Sequence, residues 1–194
     1  AFEGCIALAE IVLPDNVTSL GANAFKDCTL LKKFVGGEGL TTIPAVFDGC
    51  ISLKTVIIPK TVKSIANNAF KDLSKLATVA FMHTGKDDPA SAVMTSIGAN
   101  AFEGCVALTS IDLSKTQLTN LSNPEVFKGC VALASITLPQ EMASLTGNAI
   151  FAGTVIERLD ASMVNGLIVN IFGTNLLADP KVTNNSLKTL IVGN

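Results

Sequence analysis

Neither tryptophan nor tyrosine occurs in this chain of 194 residues, and His83 is its single histidine. No nucleophile, base and orienting group can be placed together from what is left, which argues against an enzyme. An excess of charge of either sign is also missing. The 14 basic residues stand against 16 acidic ones and are scattered, so the footprint of a nucleic-acid binder is absent. No run is long and apolar enough to span a bilayer, and no charged, apolar and small-residue leader opens the chain. There is no Cys-x-x-Cys pair, and so no familiar zinc spacing. The chain opens inside a repeat at Ala1 and closes directly after a strand clause, so a processed or engineered fragment of a longer protein is expected.

What the chain does contain is one phrase, many times over. Ala-Phe-Glu-Gly-Cys at 1 to 5 returns as Ala-Phe-Lys-Asp-Cys at 24 to 28 and as Ala-Phe-Glu-Gly-Cys at 101 to 105. Phe2, Phe25, Phe47, Phe70, Phe102, Phe127, Phe151 and Phe172 mark the units, separated by 23, 22, 23, 32, 25, 24 and 21 residues. Six residues after each of the first six stands Leu8, Leu31, Leu53, Leu76, Leu108 or Leu133. Nine after stands Ile11, Phe34, Val56, Val79, Ile111 or Ile136. Eleven after stand Leu13, Ile58, Phe81, Leu113 and Leu138, with Gly36 the exception. Such self-similarity is the signature of a solenoid.

The apolar pair two residues apart has the period of a strand, so each unit turns those two side chains inward from one short strand. Pro14, Pro59 and Pro139 follow, and with no amide hydrogen to give they end it. A second apolar clause, Val17 with Leu20 or Val62 with Ile65, leads through Gly-Ala-Asn or Ala-Asn-Asn to the next phenylalanine. The strand clause recurs at Ile156, Leu159 and Ala161 and at Leu187, Leu190 and Val192, placing strand centres at 11, 34, 56, 79, 111, 136, 159 and 190. These predict a single domain over 1–194 of about eight coils, regular over 1–150 and degenerate over 151–194, with insertions near 82–90 and 179–185.

Ala1 to Leu20 resembles the BspA-like, or Treponema-type, leucine-rich repeats, whose unit reads Ala-Phe-x-x-Cys-x-x-Leu-x-x-Ile-x-Leu-Pro-x-x-Val-x-x-Ile. The tail departs from that pattern, with Thr154 and Asn175 in place of the cysteine, as Leu73 is earlier. The resemblance implies a right-handed α/β-type horseshoe or arc. One short parallel strand per repeat would face turns, 3₁₀ pieces or second strands on the opposite side. It also implies a cell-surface or secreted binding module, adhesive toward host matrix or cell proteins, with no cofactor. The other reading is a rigid spacer that presents another domain of a longer surface protein. A monomer is expected.

Cys5, Cys28, Cys50, Cys105 and Cys130 all stand three residues after a phenylalanine, which makes them a structural column of buried free thiols. His83 with Asp87 and Asp88 lies in one short loop without the spacing of a metal site, so no metal is expected. The sequons at Asn16, Asn120 and Asn184 are put down to chance in a chain rich in Asn, Ser and Thr. The candidate site is the outward side of the strands. Val12, Val35, Ile57 and Ala80 would form an exposed apolar stripe, continued by Asp112 and Thr137. Glu10, Lys33, Thr55, Thr78, Ser110 and Ser135 would run beside it. From these, Val12, Val35, Ile57, Ala80, Thr55 and Thr78 are the candidate contacts for a protein ligand.

Overall fold

The structure, a computed structural model, describes residues 1–82, 94–161, 164 and 189–192. The strands that follow the cysteine turn are β1 (Glu10–Val12), β2 (Lys33–Val35), β4 (Thr55–Ile58), β6 (Thr78–Phe81), β8 (Ser110–Asp112), β10 (Ser135–Thr137), β12 (Arg158–Ala161) and β13 (Thr189–Val192). Between them come shorter strands, β3 (Thr42–Ile43), β5 (Ser64–Ile65), β7 (Ser96–Ile97), β9 (Asn120–Leu121) and β11 (Ser144–Leu145). Every strand centre expected from the repeat falls within one of the first series.

All pairing is parallel and shifted by one coil. Ile11 lies opposite Phe34, Phe34 opposite Val56, and Val56 opposite Val79. The first series runs β1-β2-β4-β6, then β8-β10, then β12-β13. The second series runs β3-β5-β7 and β9-β11 on another side of each coil. The fold is thus a β-solenoid, and the α/β horseshoe is corrected in one respect. No helix of any kind occurs among the described residues, and the side opposite the main strands carries second strands instead. The physical reason is length: the leg after each proline turn is too short for a helical turn with caps, but long enough for two extended residues with one side chain inward.

The core is a pile of rings. Phe25, Phe47, Phe70, Phe102, Phe127 and Phe151 are fully buried. Successive rings stack almost parallel, with Phe70 and Phe102 centred 5.2 Å apart and Phe102 and Phe127 5.3 Å apart. Phe34 meets Phe47 edge-on at 4.9 Å, so the exceptional residue of the second strand joins the same pile. Each ring pair adds about 0.5–1.5 kcal/mol beyond the area it buries.

Gly36 replaces the usual inward leucine because its site is filled from the next coil. A Cβ there would stand 2.6 Å from Cδ of Pro59. The corner after each phenylalanine needs a left-handed residue, and Gly4, Gly49, Gly104, Gly129 and Gly153 share it with Asp27 and Asp72. Over the first five corners the two types alternate, and packing gives a reason: a Cβ on Gly49 would collide with the Asp27 carboxylate, and one on Gly104 with that of Asp72.

The cysteines complete the corner. The Sγ of Cys28 donates to the carbonyl of Phe2, Cys50 to Phe25, Cys105 to Phe70 and Cys130 to Phe102, at 2.9, 3.1, 3.1 and 3.1 Å. Each thiol therefore bonds the coil before it. Burial pushes the thiols of Cys50 and Cys130 up to about 12 from an ordinary 9.0, so they stay protonated. Cys28, Cys50, Cys105 and Cys130 are buried, but Cys5 is exposed because it belongs to the outermost described coil.

Candidate protein-binding face

Alternation along β1, β2, β4 and β6 turns Ile11, Phe34, Val56 and Val79 inward and leaves their neighbours outward. The register brings the candidate residues into two rows across four adjacent strands. Val12 lies opposite Val35, Val35 opposite Ile57, and Ile57 opposite Ala80. Beside them Glu10, Lys33, Thr55 and Thr78 form the polar row. Lys33 Nζ and Glu10 Oε1 pair at 2.6 Å, an exposed bond of the kind that contributes about 0–1 kcal/mol.

The stripe is less open than alternation alone predicts. Val12 is 61% exposed, at the edge of the sheet, whereas Val35, Ile57 and Ala80 are half-buried between their neighbours. It also stops after four strands. β6 and β8 are neighbours but no ladder joins them, and the break follows directly on the inserted segment after Met82. Asp112 and Thr137 carry the row on in a separate ladder, where Asp112 lies opposite Thr137.

The other residues weighed from sequence fall apart from this face. His83, Asp87 and Asp88 lie outside the described residues, as do Asn184 and nearly all of both insertions. Among the described residues no cluster of His, Cys, Asp and Glu could hold a metal ion, and no helix is long and apolar enough to cross a membrane. Asn16 and Asn120 are exposed.

Comparison with known proteins accounts for the repeat. The family model described as the BspA type leucine rich repeat region matches in six copies, over residues 1–92 and 44–177. The chain belongs to the BspA-type leucine-rich repeat family. This array resembles the crystal structure of a Treponema pallidum leucine-rich repeat protein, with 30% identity and a TM-score of 0.64 over 79% of this chain and 66% of that one. It shares its fold with a leucine-rich cell surface protein of Faecalibacterium prausnitzii, at 23% identity, a TM-score of 0.69 and coverage of 95% and 47%. A leucine-rich repeat protein of Bacteroides ovatus aligns at 23% identity with a TM-score of 0.59, covering 100% of this chain and 57% of that one. The chain thus spans about half to two thirds of the length of these structures. No curated protein matches it.

Two features of the BspA-type array escaped the sequence reading. The residue after the cysteine position is apolar and exposed at Ile6, Ile51, Val106, Val131 and Val155. The signal was available, because this column is apolar in most units, but a lone exposed column has no period within a unit. The residue after each of the first six unit phenylalanines alternates in sign, as Glu3, Lys26, Asp48, Lys71, Glu103 and Lys128. Stacked neighbours therefore attract: Lys71 Nζ lies 2.6 Å from Glu103 Oε2, and Lys128 Nζ 3.8 Å from Glu103 Oε1. Asn100 Nδ2 donates to Glu103 in its own turn and to Glu125 in the next, which ties the two coils together. The hydrogen bond from Lys128 holds the Glu125 carboxyl below the usual carboxylate range, and the one to Glu103 holds the Lys71 ammonium above its own.

Proposed function

We propose that this stretch of chain is a non-enzymatic protein-binding module of a cell-surface or secreted leucine-rich repeat protein, adhesive toward host matrix or cell proteins. Leucine-rich repeats generally serve protein interaction, and one structure that shares the fold is described as a cell surface protein. The observation that carries the reading is the row Val12, Val35, Ile57 and Ala80, held in register on four strands beside Thr55 and Thr78. Flat rows of β-branched side chains with hydroxyls at their flank fit a protein surface better than a small molecule. Residues 1–194 form one solenoid domain of about eight coils in this proposal, with insertions at 82–90 and 179–185, and it acts as a monomer.

The test is binding of the purified chain to immobilised fibronectin, fibrinogen and intact host cells, beside a Val35→Thr and Ile57→Thr double variant. Saturable binding that the folded double variant loses supports an adhesive module and locates its face. No binding by the parent chain moves the reading to the rigid spacer. Binding unchanged in a folded double variant refutes this face.

A further inference from the structure

At most corners the phenylalanine turn is laced to the next coil by two main-chain bonds. Phe2 and Gly4 donate to the carbonyls of Ala24 and Lys26, Phe70 and Asp72 to those of Ala101 and Glu103, and Phe102 and Gly104 to those of Val126 and Lys128. One corner breaks the rule. Among the described residues, the amides of Phe47 and Gly49 donate to no carbonyl, though Ala69 and Lys71 stand in the matching places.

The sequence explains why. Five residues separate Leu20 from Phe25, Ile65 from Phe70 and Ile97 from Phe102, but only four separate Ile43 from Phe47. The lost residue is the corner one. Asn23, Asn68 and Asn100 sit left-handed two places before their phenylalanines, whereas Ala45 does not. The coil cannot reach its neighbour at that corner, and a notch of about 210 Å³ opens there, lined by Asp48, Asn68, Lys71 and Asp72 among others.

Gly49 is also the residue after Asp48, in the only Asp-Gly pair of the chain. Asp48 is open to water, its side chain 82% exposed, and its one ion pair among the described residues is a long 3.9 Å contact with Lys26. We infer that Asp48–Gly49 is a site of spontaneous aspartyl isomerisation, licensed by the missing rung. The Gly49 nitrogen attacks the γ-carbon of Asp48 and forms a C–N bond. The amide proton and the carboxyl hydroxyl leave together as water, closing a five-membered imide. Water then adds back: at the γ-carbonyl it restores aspartate, and at the α-carbonyl it leaves the chain running through the β-carboxyl. At Gly4, Gly104 and Gly129 the same nitrogen is engaged, by Lys26, Lys128 and Ala152, and none of these glycines follows an aspartate.

The experiment ages the folded chain in mildly acidic buffer and reads isoaspartate at 48 by peptide mapping with electron-transfer fragmentation. Three references run beside it: the urea-unfolded chain, Asp48→Glu, and a variant with an asparagine inserted between Ala45 and Val46, which puts it two places before Phe47. Deamidation at Asn165–Gly166 changes mass and lies on another peptide. Isoaspartate should build up at 48 in the folded chain within about tenfold of the unfolded rate, and Asp48→Glu should stop it. The insertion should restore Gly49 protection in hydrogen exchange and slow isomerisation about tenfold, the factor for a rung of ~1.4 kcal/mol. Isomerisation suppressed far more than tenfold in the folded parent overturns the inference, whether or not the insertion variant folds. So does an unchanged rate in an insertion variant whose Gly49 amide is protected.

Discussion

Phe102→Leu tests whether the ring pile, and not apolar volume alone, holds the coils in step. Phe102 is fully buried and stacked on both sides, 5.2 Å from Phe70 at 22° and 5.3 Å from Phe127 at 8°. Leucine keeps most of the apolar character and loses two ring pairs, so the cost expected is about 1–3 kcal/mol from stacking alone. Phe102→Ala adds a cavity, and large-to-small changes of this kind cost about 3–5 kcal/mol. Phe2→Ala is the control: that ring is 38% exposed and, among the described residues, stacks only on Phe25, so it should cost well under half as much. Urea titration followed by far-UV circular dichroism gives the three values, since a chain without Trp or Tyr has little to offer fluorescence. A Phe102→Leu variant as stable as the parent, or a Phe2→Ala variant as damaged as Phe102→Ala, refutes the reasoning.

Gly36→Ala should cost about 1–3 kcal/mol, because its new carbon meets the buried ring of Pro59 at 2.6 Å; thermal melting reads it, and no loss would mean the two coils slide apart freely. Cys50 gives a pH prediction. Its folded value is raised from 9.0 to about 12, so what the neutral thiol contributes is whole below 9.0 and drains away as pH rises toward 12. The stability of the parent relative to Cys50→Ala should therefore fall over that window in urea titrations, and a constant difference would contradict the buried thiol.

Much of the main sheet could be read from the repeat. Ile11, Phe34, Val56 and Val79 recur at one place in the unit with an inward partner two residues on, and only a strand meets that demand. The second strands were harder, because Thr42–Ile43 or Ser64–Ile65 turns a single side chain inward and shows no alternation. Gly36 looked like an exception and proved to be a fit, since Pro59 comes from another coil and no single unit contains both partners. On the candidate face, alternation placed Val35 and Ile57 outward correctly. Their half-burial depends on how closely the flanking strands stand, which the pattern within one strand does not encode. The 32-residue step between Phe70 and Phe102 announced an insertion, but its effect, an unlaced boundary between β6 and β8, depends on geometry across coils.

The corner bonds also set the grammar by which such a chain can change length. The buried thiols, the stacked rings and most corner amides answer to the adjacent coil alone, so a segment running from one phenylalanine to the next is a cassette. Excising residues 103–127 would join Phe102 to Lys128 and leave each remaining ring facing another ring. A cut one residue out of phase has to be absorbed at a corner, as the short leg before Phe47 is, with the loss of the main-chain bonds there. Lengthening and shortening by whole units therefore leaves the interior legible, and the corner at Phe47 shows what the loss of a single letter does to it.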